Sequence, residues 1–166
     1  MLDTLQRLFG FKAWADDELL KALARLDEDS ETTKLAIRAL SHSHVVDRIF
    51  LAHLRGKDQP FRSANPAHLP TLHNLSEDIR ATDEKYLRYV LGLHGDQMHE
   101  QIDFTFTDGT AGRMSREEML MHVITHGIGH RGQVSAVMLL NALPPAQDGF
   151  TTYLHFAEAK DRRRAA

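Results

Sequence analysis

His126-Gly127-Ile128-Gly129-His130-Arg131-Gly132-Gln133 lies inside an apolar helical pattern that runs over residues 114–140. Four residues is close to one helical turn, so the two histidines point the same way, one above the other. That places half of a metal site on one helix face. Ser115, with Glu118 three residues on, is a capping box for the start of this helix. Pro144-Pro145 stands beyond its end.

Moving outward from this helix, Gln101-Ile102-Asp103-Phe104-Thr105-Phe106-Thr107 alternates apolar and polar residues, as a half-buried strand does. Asp108-Gly109 then signals a tight turn, and a return strand ends at Met114. Before this hairpin a third helix fits residues 75–93, ended by Gly92 or Gly95. Residues 56–74 hold Pro60, Pro66 and Pro70 and read as a long loop. A second helix spans 31–55, with Ser30 as N-cap and Gly56 as stop. Its apolar face carries Leu35, Ala36, Ala39, Leu40, Val45, Val46, Ile49, Phe50 and Leu54. In the first helix, over 3–26, Leu5, Leu8, Phe9, Ala13, Leu19, Leu20, Leu23 and Leu26 recur at helical spacing, with Trp14 among them. A short last helix falls within 150–160. The expected fold is all-α: one domain over residues 1–166, a four-helix bundle with a small β-hairpin before the last long helix. Bundles of this kind build their sites from side chains that face inward.

Composition narrows the function. The 166-residue chain is 42% hydrophobic and 26% charged, ordinary for a globular domain with a real core. Its net charge of -3 gives no bulk basic field, so nucleic acid is not an expected partner. The one basic run, Lys160 with Arg162, Arg163 and Arg164, reads as a solvated tail. Cysteine is absent, which removes disulfides, thiolate nucleophiles and cysteine zinc motifs. Any metal must be held by nitrogen and oxygen. No run is long and apolar enough to span a membrane, and no secretory signal opens the chain, so a cytoplasmic location is expected.

The chain holds 11 histidines. Random placement would give on the order of 0.7 pairs four apart; this sequence has two, His122–His126 and His126–His130. Gly127, Gly129 and Gly132 interrupt the same helix at about 1 kcal/mol each relative to alanine. Such a loss is tolerated where a neighbour or ligand must come close. A third ligand is offered by the second helix, which carries His42 and His44. They stand about 200° apart around the helix axis, so only one is expected to face the interior. His42 follows the line of Leu35, Ala39, Val46 and Ile49; His44 lies nearer Arg48 and Arg55. The pattern turns His42 inward, where it is either a ligand or a buried neutral imidazole.

These segments together resemble the DinB/YfiT-like superfamily of bacterial four-helix proteins. The resemblance is carried by Phe11-Lys12-Ala13-Trp14-Ala15, by Leu40-Ser41-His42 followed by Val46-Asp47-Arg48-Ile49-Phe50, by the hairpin 104–114, by residues 122–133 and by the closing segment 148–154. It implies a three-histidine metal site at His42, His126 and His130, with His44 and His122 outside the ligand set and His122 a neighbour of it. It also implies a homodimer.

Three imidazoles leave a divalent ion positively charged with a position open, the catalytic rather than the structural pattern for zinc. Such an ion can polarise an oxygen, acidify water or activate a thiolate. Nitrogen-only ligation suits zinc, nickel, copper or iron, with zinc or nickel the expected metal. The resemblance implies the thiol use: a metal-dependent S-transferase, or a hydrolase-like enzyme, acting on a small molecule with a low-molecular-weight thiol supplied from outside. Arg131, Gln133 and Arg48 are candidates to hold a carboxylate on that thiol, against plain ion pairing on the surface or between helices. Asp47 is a candidate to orient a ligand histidine, although five residues from His42 is a poor spacing for a direct bond. The alternative is a non-catalytic metal-binding or stress-response bundle.

Overall fold

The fold is described from a computed structural model covering residues 2–157. The expected tail at Lys160 and Arg162–Arg164 lies outside the described residues. Four long helices form the body: α1, Leu2–Leu23; α2, Glu31–Leu54; α3, Leu72–Leu91; and α4, Arg116–Leu140. Between α3 and α4 come a 3-10 turn, Gly95–His99, and a hairpin of β1, Gln101–Thr105, and β2, Ala111–Ser115. A short α5, Phe150–Ala157, follows. The helical bundle and the hairpin stand where the sequence places them. No helix among the described residues is long and apolar enough to cross a membrane.

Local chemistry sets the boundaries. Ser30 Oγ accepts from Thr33 N at 3.2 Å and starts α2. Gly56 follows its end with φ +63, a conformation that costs glycine little and other residues more. The third helix begins three residues earlier than its apolar pattern, because Thr71, directly after Pro70, caps Asn74 N at 3.2 Å. Ser115 and Glu118 form the reciprocal capping box, Ser115 N donating to Glu118 Oε2 at 2.7 Å. The hairpin is antiparallel, with Gln101 opposite Ser115 and Thr105 opposite Ala111. Its strands stop sooner than the alternation suggests. Phe106 N donates to Thr110 O at 2.8 Å, so residues 106–110 form a wider loop with Gly109 at φ +88.

The interior is layered. At the hairpin end Leu5, Phe9, Phe50, Tyr86, Val90, Met119 and Val123 pack into one apolar cluster. At the other end Leu20, Leu40, Leu75, Ile79, Val134 and Met138 form a second. Between them lies a buried polar layer built from Lys12, Asp16, Asp47, Asp83 and Arg131. α1 runs antiparallel to α3 and α2 antiparallel to α4, whereas Asp16–Arg131 and His44–Thr82 belong to the parallel pairs α1–α4 and α2–α3. Each helix reaches this layer at mid-length, and so do His42, His126 and His130.

Two expectations about α2 need correction. Leu35, assigned to its apolar face, is 53% exposed. His44, expected to be the outward spectator, is only 6% exposed. The reason is that α2 packs chiefly on α4 but also on α3, so it has two inward faces. His42 points along the first. His44 points along the second, with Nε2 3.0 Å from Thr82 Oγ1.

Candidate metal centre

His126 and His130 stand one turn apart on α4, and His42 approaches from α2. Nε2 of His130 is 3.2 Å from Nε2 of His126. The His42 ring lies 5.3 Å from that of His126 and 4.8 Å from that of His130, centroid to centroid. One ring nitrogen from each of the three comes within 4.8 Å of the others. All three residues are partly buried, open enough for an ion to enter.

The donor set fits a divalent cation. Two imidazole nitrogens bonded to one zinc at about 2.0–2.1 Å in tetrahedral geometry stand about 3.3 Å apart, close to the spacing seen between His126 and His130. Nδ1 of His126 and Nδ1 of His130 are buried without a hydrogen-bond partner. His42 differs: its Nδ1 is 3.0 Å from Asn65 Oδ1. A carboxamide oxygen only accepts, so Nδ1 carries the proton and Nε2 keeps its lone pair. Asn65 was not singled out in the sequence. It sits in the proline-bearing α2–α3 loop, where nothing in the residue pattern distinguishes it from a turn residue.

Electrostatics keep the two α4 rings neutral. Burial lowers the pKa of His126 to about 4, helped by the neighbouring His130, His122, His42 and Lys12. Burial and then His42 lower His130 as well, partly opposed by Gln133. Neutral imidazoles are the metal-binding form, so near pH 7 these two have no proton to lose first. His122 lies beside the centre rather than in it. Its ring stacks on His126 at 5.3 Å and lies tilted against Phe50 at 4.5 Å. From Phe50 the aromatic contacts run on to Phe104 at 6.2 Å, at the hairpin.

Below the triad the polar layer is tied together by Lys12. Its Nζ lies 2.8 Å from Asp16, 2.9 Å from Asp47 and 2.6 Å from Asp83. Burial opposes this charge, but the three carboxylates prevail and hold the Lys12 pKa well above its ordinary value. One ammonium cannot neutralise all three. Burial drives Asp47 up to about 6 and Asp83 up to about 7 despite Lys12. Burial also works against Asp16, yet Lys12 and Arg131 hold its pKa below normal. Arg131 bonds Asp16 at 2.9 Å and Asp148 at 2.9 Å and is almost wholly buried. It is therefore an interhelix pair that fixes α4 to α1 and to the segment before α5, not a free anion receptor. Asp47 pairs with Lys12 and, among the described residues, makes no hydrogen bond to any of the three histidines.

A Cβ at Gly127 would meet Arg131 Nη1 at 3.5 Å and Lys12 Cε at 3.6 Å, ordinary van der Waals contact. Nothing stands within 4 Å at Gly129 or Gly132, so close approach among the described residues accounts for none of the three α4 glycines.

Fold and centre together define a class: a helical bundle with a three-histidine cluster shared by its second and fourth long helices. The chain belongs to the DinB family, whose model matches residues 1–163. It is similar to Protein DinB of Bacillus subtilis (strain 168), at 22% identity over 171 residues, covering 96% of this chain and 99% of that protein.

Proposed function

We propose that this protein binds one divalent metal ion, zinc or nickel, through His42, His126 and His130, and uses it as a thiol S-transferase or hydrolase-like enzyme on a small-molecule substrate. The 3.2 Å approach of two Nε2 atoms, with a third imidazole brought in from another helix, carries the reading. When bound, the ion supplies Lewis acidity at a position the three histidines leave open. The chain's own contribution is to hold three imidazoles in place. Asn65 sets the His42 tautomer. Arg131, bonded to Asp16 and Asp148, fixes α4 from below. The sulfur comes from a low-molecular-weight thiol, since the chain has no cysteine. A homodimer belongs to the same reading: α4 leaves Met121, Ile128, Leu139 and Leu140 exposed, an apolar strip suited to a second copy.

Calorimetric titration with 2-mercaptoethanol tests the thiol step. Saturable binding to zinc-loaded wild type, with none to metal-free protein or to His126→Ala, supports it. Equal heats in all three, or no binding to the loaded protein, rule the thiol use out.

A further inference from the structure

On the other side of α2 from the triad, a cleft of about 200 Å³ opens between α2, α3 and the loop after α2. Four cationic side chains line it: Arg48, Arg55, Lys57 and Lys85. No acidic residue does. Among the described residues none of the four has a carboxylate within 4.0 Å, whereas Lys21, Arg80 and Arg88 are each paired. Glu84, next to Lys85 in the chain, is bound to Arg88. This is unusual for a protein of net charge -3, which has carboxylates to spare. Four like charges around one hollow repel each other, and an anion that enters relieves that repulsion.

The hollow is also shaped. Leu51, Pro60 and Phe61 give it an apolar floor. The Arg48 guanidinium stands 4.8 Å from the centre of the Phe61 ring, which fixes its plane and leaves its N–H edge free for a ligand. Arg55 Nη2 reaches the Lys85 carbonyl at 3.5 Å, which holds its head group toward α3. Solvated surface lysines and arginines need none of this. Two guanidinium forks and two ammonium groups over an apolar floor suit a doubly charged oxyanion better than a single carboxylate.

We propose that this cleft is a second binding site, distinct from the histidine centre, for a soluble small molecule with a phosphate-type dianionic head and a flat apolar body. The proposal does not depend on the metal reading. His42 and the cleft occupy different faces of α2, so either can be occupied alone.

Phenyl phosphate is a suitable probe. It is titrated into wild-type protein and into Arg48→Gln/Lys85→Gln, with amide shifts and heats recorded. Both substituted side chains are exposed and make no ion pair, so the variant keeps its fold, checked by circular dichroism. The expected result is saturable binding that shifts Lys57, Phe61 and Thr82 amides, falls with added salt, and weakens on the order of tenfold in the variant. Zinc binding should be the same in both. Absence of saturable binding in the wild type, or equal affinity in the variant, overturns the proposal. Sedimentation with phosphatidylglycerol vesicles without phenyl phosphate binding also overturns it, in favour of a lipid surface.

Discussion

Replacing Lys12 with methionine removes the one ammonium shared by Asp16, Asp47 and Asp83 and keeps an apolar stem of similar length. Lys12 is 2% exposed, and all three carboxylates lie within 2.9 Å of its Nζ. Breaking a buried pair by deleting one partner costs about 3–5 kcal/mol, because the other charge is left without compensation. The cost here depends on pH. Asp47 is pushed up to about 6 and Asp83 up to about 7, so at pH 5 both hold protons in the folded protein. Only Asp16 then faces the lost cation, and Arg131 still pairs with it at 2.9 Å. At pH 8 the wild type carries all three charges, and the variant must bind protons or bear the repulsion. The full loss of about 3–5 kcal/mol is therefore expected at pH 8 and a clearly smaller one at pH 5. Urea unfolding of both proteins at the two pH values measures it. A drop in melting temperature of roughly 6–20 °C at pH 8 should accompany it, at about 2–4 °C per kcal/mol for a chain of this size. A difference under about 1 kcal/mol at pH 8, or a larger one at pH 5, would refute this account of the polar layer.

Three further outcomes follow from particular contacts. Asn65→Ala should weaken zinc binding about tenfold or more with little change in unfolding midpoint, since it frees the His42 ring without touching the core; unchanged affinity in a competition titration would remove Asn65 from the site. Asp83→Asn tests the proton held by Asp83. A folded pKa raised from the ordinary 3.8 to about 7 adds stability that is complete below 3.8 and lost as pH rises through 7. The variant should therefore gain on the wild type between pH 5 and pH 8 in urea unfolding, and a loss over that interval would contradict the assignment. Gly10→Ala drives a Cβ into the Tyr153 hydroxyl, so the Tyr153 ring should swing away from Phe11 and Trp14. Fluorescence of Trp14, the single tryptophan, reads this directly, and an unchanged spectrum would mean that α5 is docked some other way.

The long helices and the hairpin were legible because their signals are local. Ser30, Gly56 and the Ser115–Glu118 box act within a few residues, and apolar periodicity marks each helix. The two histidines on α4 were legible for the same reason, since one helical turn fixes their relation. His42 could be chosen over His44 from periodicity, but the inference that His44 would face outward failed. It treated α2 as having a single inward face, whereas α3 and α4 each cover one. Leu35 was misplaced by the same simplification. The buried charge layer went unread because its partners lie on different helices: Lys12 and Asp83 are 71 residues apart. One local clue was present. Lys12 and Asp16 are four apart within the apolar stripe of α1, a position where a charge must find a partner. Asn65 and the cationic cleft depend on how a loop folds back over α2, and no periodicity encodes that.

The central claim is that the three histidines hold an ion. Elemental analysis of untagged protein, wild type beside His126→Ala, tests it most directly. The account predicts close to one zinc or nickel per wild-type chain and little in a variant that remains folded. No metal in either protein, even after incubation with zinc and nickel, or equal metal in both, would contradict it.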